Sequence, residues 1–178
     1  PLSSLRVAEL LGPLFPAGVL SVLPGGRECG QALVAHPGIA KVSLIGSVPT
    51  GQAIVRAAAD TLKKVSLELG GKNALVAYPD ADVDEVAAGI IRGMNFGWAG
   101  QSCGSTSRVF IHEKIHDDVL GRVAAKMASI RIGMPEHPLT EMGCLIDRAQ
   151  FDRVKQYIDA GRSEGARLVV GGQRPEDP

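Results

Sequence analysis

The stretch 42-VSLIGSVPTGQAIVRAAADTLKKVSLELGG-71 decides how this chain folds. Val42 to Ile45 is a short apolar run rich in β-branched residues, which predicts a strand. Gly46 to Gly51 holds Gly, Ser, Pro and Thr, so it reads as a turn. Gln52 to Leu62 is Ala-rich and predicts a helix, and Val65 to Leu69 predicts another strand, stopped by Gly70 and Gly71. Two strands separated by one helix and short links imply parallel pairing, because antiparallel neighbours need no crossover.

The pattern continues on both sides. Upstream, Ser4 to Leu11 predicts a short helix, Val19 to Leu23 a first strand closed by Pro24-Gly25-Gly26, and Glu28 to Ala35 a helix ended by His36-Pro37-Gly38. Downstream, Ala74 to Tyr78 and Ser107 to Ile111 predict strands. Asp82 and Glu85 have capping-box spacing ahead of a helix that sets Val83, Val86, Ala87, Ile90, Ile91 and Met94 on one face. Asn95 to Gly104 breaks that period and reads as a loop. A longer helix carries Ile115, Val119, Val123, Met127 and Ile130 inward, and Gly133 to Leu139 is a loop. Asp147 and Gln150 cap a further helix with Phe151, Val154 and Ile158 inward. Leu168 to Val170 predicts a last strand, and residues 173–178 form a polar tail. The class is α/β with parallel strands.

Composition narrows the function. The 178 residues suffice for one domain or for parts of two. Nineteen basic residues balance nineteen acidic ones and aromatics make up 4%, so neither an electrostatic nor a stacking surface for nucleic acid is expected. No apolar run reaches the length of a membrane span, and no signal-peptide pattern opens the chain. Cys29, Cys103 and Cys144 are far apart and His36, His112, His116 and His137 form no ligand cluster, so no metal is expected. Sparse, odd-numbered cysteines suit a reducing compartment, here the cytoplasm.

Three segments have the residue types chemistry needs. Gly46-Ser47-Val48-Pro49-Thr50-Gly51 joins a strand to a helix start, where free N–H groups, the helix dipole and the Ser47 and Thr50 hydroxyls can hold a phosphate. It is neither a P-loop nor a GxGxxG fingerprint, and an ordinary strand-to-helix turn has the same composition. Glu68-Leu69-Gly70-Gly71-Lys72 sits at the carboxyl end of a parallel strand, where open α/β sheets place their ligands. A partly buried Glu68 would serve as a general base, and the glycines would admit a flat ring. A solvated Glu beside a strand stop also fits. Gly100-Gln101-Ser102-Cys103-Gly104 offers a thiol between small residues on a Gly-rich loop, as a nucleophile requires, although a packed thiol also fits.

The order of these segments resembles the NAD(P)-dependent aldehyde dehydrogenase superfamily. The resemblance runs through nearly the whole chain. It rests on Ser43-Leu44-Ile45-Gly46-Ser47 with Gly51, Leu67-Glu68-Leu69-Gly70-Gly71-Lys72, Gly100-Gln101-Ser102-Cys103 followed by Ser107-Arg108, and Glu141-Met142-Gly143 near Ile146. It implies a Rossmann-like part of the NAD(P)-binding domain over residues 1–71 and part of the catalytic domain over 72–178. Cys103 matches the family's nucleophile and Glu68 its general base. Gly46, Ser47 and Gly51 match the pyrophosphate site of NAD or NADP, and Leu69 and Gly70 match the edge of the nicotinamide pocket.

The implied reaction oxidises a small-molecule aldehyde to a carboxylic acid. The thiolate attacks, hydride passes to NAD(P)+, and water hydrolyses the thioester, with the Cys103 N–H helping to hold the oxyanion. The family also implies a homo-oligomer, a dimer or tetramer, for a full-length protein. Two departures follow from the same comparison. Leu44-Ile45 stands where many members have Phe-Thr, and the family's oxyanion asparagine, adenosine-site lysine and Glu-x-Phe-Gly-Pro segment have no match. Asn95 does not match that asparagine. The expectation is therefore a central piece of the family's chain. Phe96 and Trp98 are candidates for the aldehyde tunnel or for packing. Two other functions fit the same residues: a cofactor-independent thiol esterase using Cys103 and Glu68, and a catalytically silent packing or oligomerisation module.

Overall fold

The computed structural model describes residues 1–175, so residues 176–178 of the polar tail lie outside the described part. The chain divides into two compact units, one of residues Pro1–Gly70 and one beginning at Gly71. Each has its own two-stranded parallel sheet.

In the first unit, strands β1 (Lys41–Gly46) and β2 (Lys64–Leu69) pair in parallel from Lys41↔Lys64 to Gly46↔Leu69. Alternation along both strands gives the sheet two unlike faces. Val42, Leu44, Val65, Leu67 and Leu69 are half-buried, whereas Ser43, Ile45, Ser66 and Glu68 are exposed. The crossover helix α3 (Val48–Ala59) packs on the sheet through Gly51, Ile54 and Ala58, all buried. Helix α2 (Arg27–Ala35) packs on α3 and buries Val34. Lys63 is also buried: its ammonium donates to the His36 carbonyl at 2.7 Å and the Thr61 hydroxyl at 3.0 Å, which ties the start of β2 to the end of α2.

Two expectations in this unit change. Helix α3 begins at Val48, within the expected turn. Ser47 caps it by accepting from the Thr50 N–H, and Pro49 fits the first turn because an N–H there needs no helical acceptor. Val19 to Leu23 forms no strand. Val19 and Leu23 are each more than 60% exposed, with no ladder partner among the described residues, and a strand exists only when paired. Helix α1 (Leu2–Leu11) forms as expected, starting two residues earlier, but buries no residue.

The second unit is built around β3 (Ala74–Ala77) and β4 (Arg108–Ile111), parallel from Ala74↔Arg108 to Ala77↔Ile111. Helices α4 (Val83–Gly93) and α5 (Glu113–Ala128) pack on each other, with Ala87 and Val119 fully buried. Asp82 accepts from the Glu85 N–H at 2.9 Å and caps α4, as its spacing predicted. Asp147 likewise caps α6 (Arg148–Ser163) by accepting from the Gln150 N–H at 2.7 Å. The inward face expected on α6 is only partly present. Phe151 and Ile158 are half-buried, Val154 is exposed, and no residue of the helix is buried. Leu168 to Val170 is not a strand, again because it has no ladder partner among the described residues. Among the described residues no helix is long and apolar enough to cross a membrane.

Candidate active site

Cys103 is exposed on the loop between α4 and β4. The loop leaves α4 through a sharp reversal. Asn95 and Ala99 adopt left-handed conformations (φ 55° and 51°), Gly100 follows at φ 70°, and a short 3₁₀ turn spans Phe96–Trp98. Asn tolerates this region, Gly adopts it freely, and Ala pays about 1–2 kcal/mol there.

Side-chain amides then hold the segment around the thiol. Asn73, just before β3, donates from Nδ2 to the Cys103 carbonyl at 2.8 Å and to the Ser105 carbonyl at 3.4 Å. Its own carbonyl accepts from the Arg108 N–H, where β4 begins. Asn95 donates to the Ser102 hydroxyl at 3.2 Å, and that hydroxyl also accepts from the Gly104 N–H at 3.2 Å. Ser105 is buried and donates through its hydroxyl to the Met94 carbonyl at 3.0 Å. The Ser105 N–H donates back to the Ser102 carbonyl at 3.3 Å. These bonds fix a loop that has no regular secondary structure beyond the 3₁₀ turn. The thiol was legible in the sequence, whereas the roles of Asn73, Asn95 and Ser102 were not. The available signal was the placement of two asparagines at element ends, where amide side chains commonly bond backbone groups.

The general-base and cofactor-site candidates lie in the first unit. Glu68 is exposed on the open face of β2, opposite Ile45 in the register, so the partial burial expected of it is not seen. Gly46 ends β1 beside Leu69. Ser47 is exposed, and its Oγ lies 2.9 Å from the Thr50 hydroxyl. Gly51 differs from the other turn residues because it is buried against Leu67 and Leu69. Gly70 is exposed past the end of β2. The sheet thus brings Gly46, Ser47, Gly51 and Leu69 together, and Cys103 belongs to the other unit.

Phe96 and Trp98 part company. Trp98 is 68% exposed and lines a shallow groove of about 420 Å³ with Gln101, Cys144 and Ile146. Phe96 lines a separate recess of about 340 Å³ with Ile91, Asn95 and Ile130. No group of three or more His, Cys, Asp or Glu side chains suited to a metal ion occurs among the described residues.

The sequence profile of the aldehyde dehydrogenase family matches residues 1–178. The chain belongs to the aldehyde dehydrogenase family. Among curated relatives, aldehyde dehydrogenase tropH of Talaromyces stipitatus is 58% identical, over 99% of this chain and 35% of that protein. A betaine aldehyde dehydrogenase of Sinorhizobium fredii is 45% identical, over 98% of this chain and 36% of its own length. The solved NAD+ complex of an aldehyde dehydrogenase from Bacillus cereus superposes with a TM-score of 0.94 at 38% identity, covering 99% of this chain and 36% of that one. The chain thus spans about a third of the length of these family members. The parallel α/β architecture expected from the resemblance is the one observed.

Proposed function

We propose that this chain carries the nucleophile and general base of an enzyme that oxidises an aldehyde to a carboxylic acid with NAD or NADP. The observation that carries the reading is the exposed Cys103, on a loop whose backbone Asn73 holds directly and Asn95 holds through the Ser102 hydroxyl. A nucleophile needs such a combination of access and fixed direction.

In this reading the Cys103 sulfur, as thiolate, forms a bond to the aldehyde carbon while the carbonyl electron pair moves to oxygen. The Cys103 N–H is the candidate donor to that oxyanion. The NAD(P)+ cofactor, when bound, supplies the acceptor for the aldehyde hydride. The acyl group then remains on Cys103 as a thioester. Glu68 takes a proton from the attacking water, whose oxygen bonds to the acyl carbon as the C–S bond breaks.

The turn at Ser47 fits a phosphate by its donors. The Ser47 and Thr50 hydroxyls and the Val48 N–H stand at the N-terminus of a twelve-residue helix, exposed and beside no acidic side chain of its first turn. Gly51 supports this turn from below by letting α3 lie close on β2. The names of the relatives support an aldehyde as substrate class, and the solved NAD+ complex supports the cofactor. The domain assignment carried by this reading is cofactor domain over 1–71 and catalytic domain over 72–178. A soluble cytoplasmic enzyme acting as a homo-oligomer completes it.

The test follows NADH or NADPH formation by absorbance when the purified chain meets NAD+ or NADP+ and an aldehyde, with iodoacetamide labelling in parallel. Labelling at Cys103 faster than at Cys144 is expected, together with NADH formation far slower than that of a whole family member. Any turnover should disappear in Cys103→Ser and in Glu68→Gln. Equal labelling of Cys103 and Cys144, or turnover that survives Cys103→Ser, overturns the assignment. Ester cleavage that needs Cys103 and ignores NAD+ would support the esterase alternative instead.

A further inference from the structure

We infer that Asn73 is a positioning residue for the Cys103 thiol, acting through the backbone on either side of it. The inference rests on the reading of Cys103 as nucleophile. Two peptide planes flank the Cys103 Cα, and both are held. The plane before it is fixed by the Ser102 carbonyl accepting from the Ser105 N–H at 3.3 Å. The plane after it is fixed at both ends. The Cys103 carbonyl accepts from Asn73 Nδ2 at 2.8 Å, and the Gly104 N–H donates to the Ser102 hydroxyl at 3.2 Å. Holding both planes sets φ and ψ at Cys103 and therefore the direction of its Cα–Cβ bond, which limits the staggered positions open to Sγ.

Asn73 makes the only long-range contribution among these bonds. The other two run between residues two or three apart within the loop, whereas Asn73 lies 30 residues away in sequence. It can act as a fixed point because its main chain is itself anchored, its carbonyl accepting from the Arg108 N–H at 3.2 Å. Its amide reaches the carbonyls of both Cys103 and Ser105, so one side chain closes the turn that presents the thiol. The bond to the Cys103 carbonyl also points that oxygen at Asn73. Without it the Cys103–Gly104 peptide keeps only the Gly104 N–H bond to Ser102, and a carbonyl oxygen turned toward the sulfur opposes the thiolate. Loss of direction alone at a reacting atom lowers rates by a large factor.

The experiment measures iodoacetamide alkylation of each cysteine by peptide mapping, in the unsubstituted chain, Asn73→Leu and Asn73→Gln. Leu keeps the approximate shape and adds no charge, but has no donor. Gln restores an amide one methylene further out. Cys29 and Cys144 act as internal references. Asn73→Leu is expected to slow Cys103 several-fold, through a smaller thiolate fraction, while Cys144 keeps its rate, and Asn73→Gln should recover part of the loss.

A loop that is merely loosened gives the opposite sign, with Cys103 labelled as fast or faster. That result overturns the inference, as does a Gln variant no better than Leu. Global unfolding would raise the half-buried Cys29, and the comparison then rests on Asn73→Gln, whose Cys103 rate must fall between those of the unsubstituted chain and a donor-free variant. Equal reactivity of Cys103 and Cys144 in the unsubstituted chain instead removes the nucleophile assignment on which the inference stands.

Discussion

Gly51 lies directly beneath Leu69: a Cβ added at Gly51 would meet Leu69 Cδ2 at 3.0 Å and Leu67 Cδ1 at 3.4 Å. The helix that follows the candidate phosphate turn therefore seats on the strand bearing Glu68 through a missing side chain.

Gly51→Val is accordingly expected to destabilise the chain by about 1–3 kcal/mol through overpacking. Gly51→Val combined with Leu69→Ala should recover part of this loss, because the two residues are in contact and their effects couple. Denaturant unfolding of the single and double variants measures it. Additive losses would show that Gly51 and Leu69 do not share this contact.

Gly93 and Thr106 make a similar pair beside the thiol loop. The Thr106 N–H donates to the Gly93 carbonyl at 2.9 Å, and the Thr106 hydroxyl is buried with no partner among the described residues. A Cβ at Gly93 would collide with that hydroxyl. Thr106→Val keeps the shape and removes the unpaired hydroxyl, so it should be neutral or stabilising by about 1 kcal/mol. Gly93→Ala should destabilise despite its better helix propensity, and Gly93→Ala with Thr106→Ala should restore stability. Thermal melts of the three variants check the signs.

Asn95 combines a left-handed backbone with a hydrogen bond to Ser102. Asn95→Ala loses the bond and forces Ala to φ 55°, at a cost of about 2 kcal/mol from both causes. Asn95→Gly keeps the backbone conformation and loses only the bond, so it should cost less. Hydrogen exchange at residues 100–105 should rise more in Asn95→Ala than in Asn95→Gly. An equal rise in both variants would mean that the amide contact, and not the backbone conformation, governs this loop.

Helix α6 buries no residue, so local interactions must carry it. Those present are the Asp147 cap and the exposed pairs Arg148–Asp152 and Lys155–Asp159, each four residues apart. Exposed pairs of this kind are worth only a few tenths of a kcal/mol. Asp147→Ala should therefore cost about 1 kcal/mol of local helix stability. Faster amide exchange confined to residues 148–163 is the expected readout, and an unchanged rate would show that packing stabilises the helix.

Helices and paired strands were legible because their signals are local. Asp82 and Asp147 cap where their spacing placed them, and β1 and β2 formed where apolar runs met glycines. The two failed strands, Val19 to Leu23 and Leu168 to Val170, have the right residue types and no partner. Strand character is completed by a neighbour, which no local window contains.

The sequence by itself determined the family, the parallel α/β class and the candidate thiol on the Gly-rich loop, because these depend on residue type, order and spacing. Only the tertiary structure decided how that thiol is held. The Asn73 amide reaches the Cys103 carbonyl across 30 positions of chain, and Gly51 proved to be a packing contact under Leu69. Both facts depend on which backbone groups folding brings within hydrogen-bond or van der Waals distance, and residue spacing along the chain does not encode that distance.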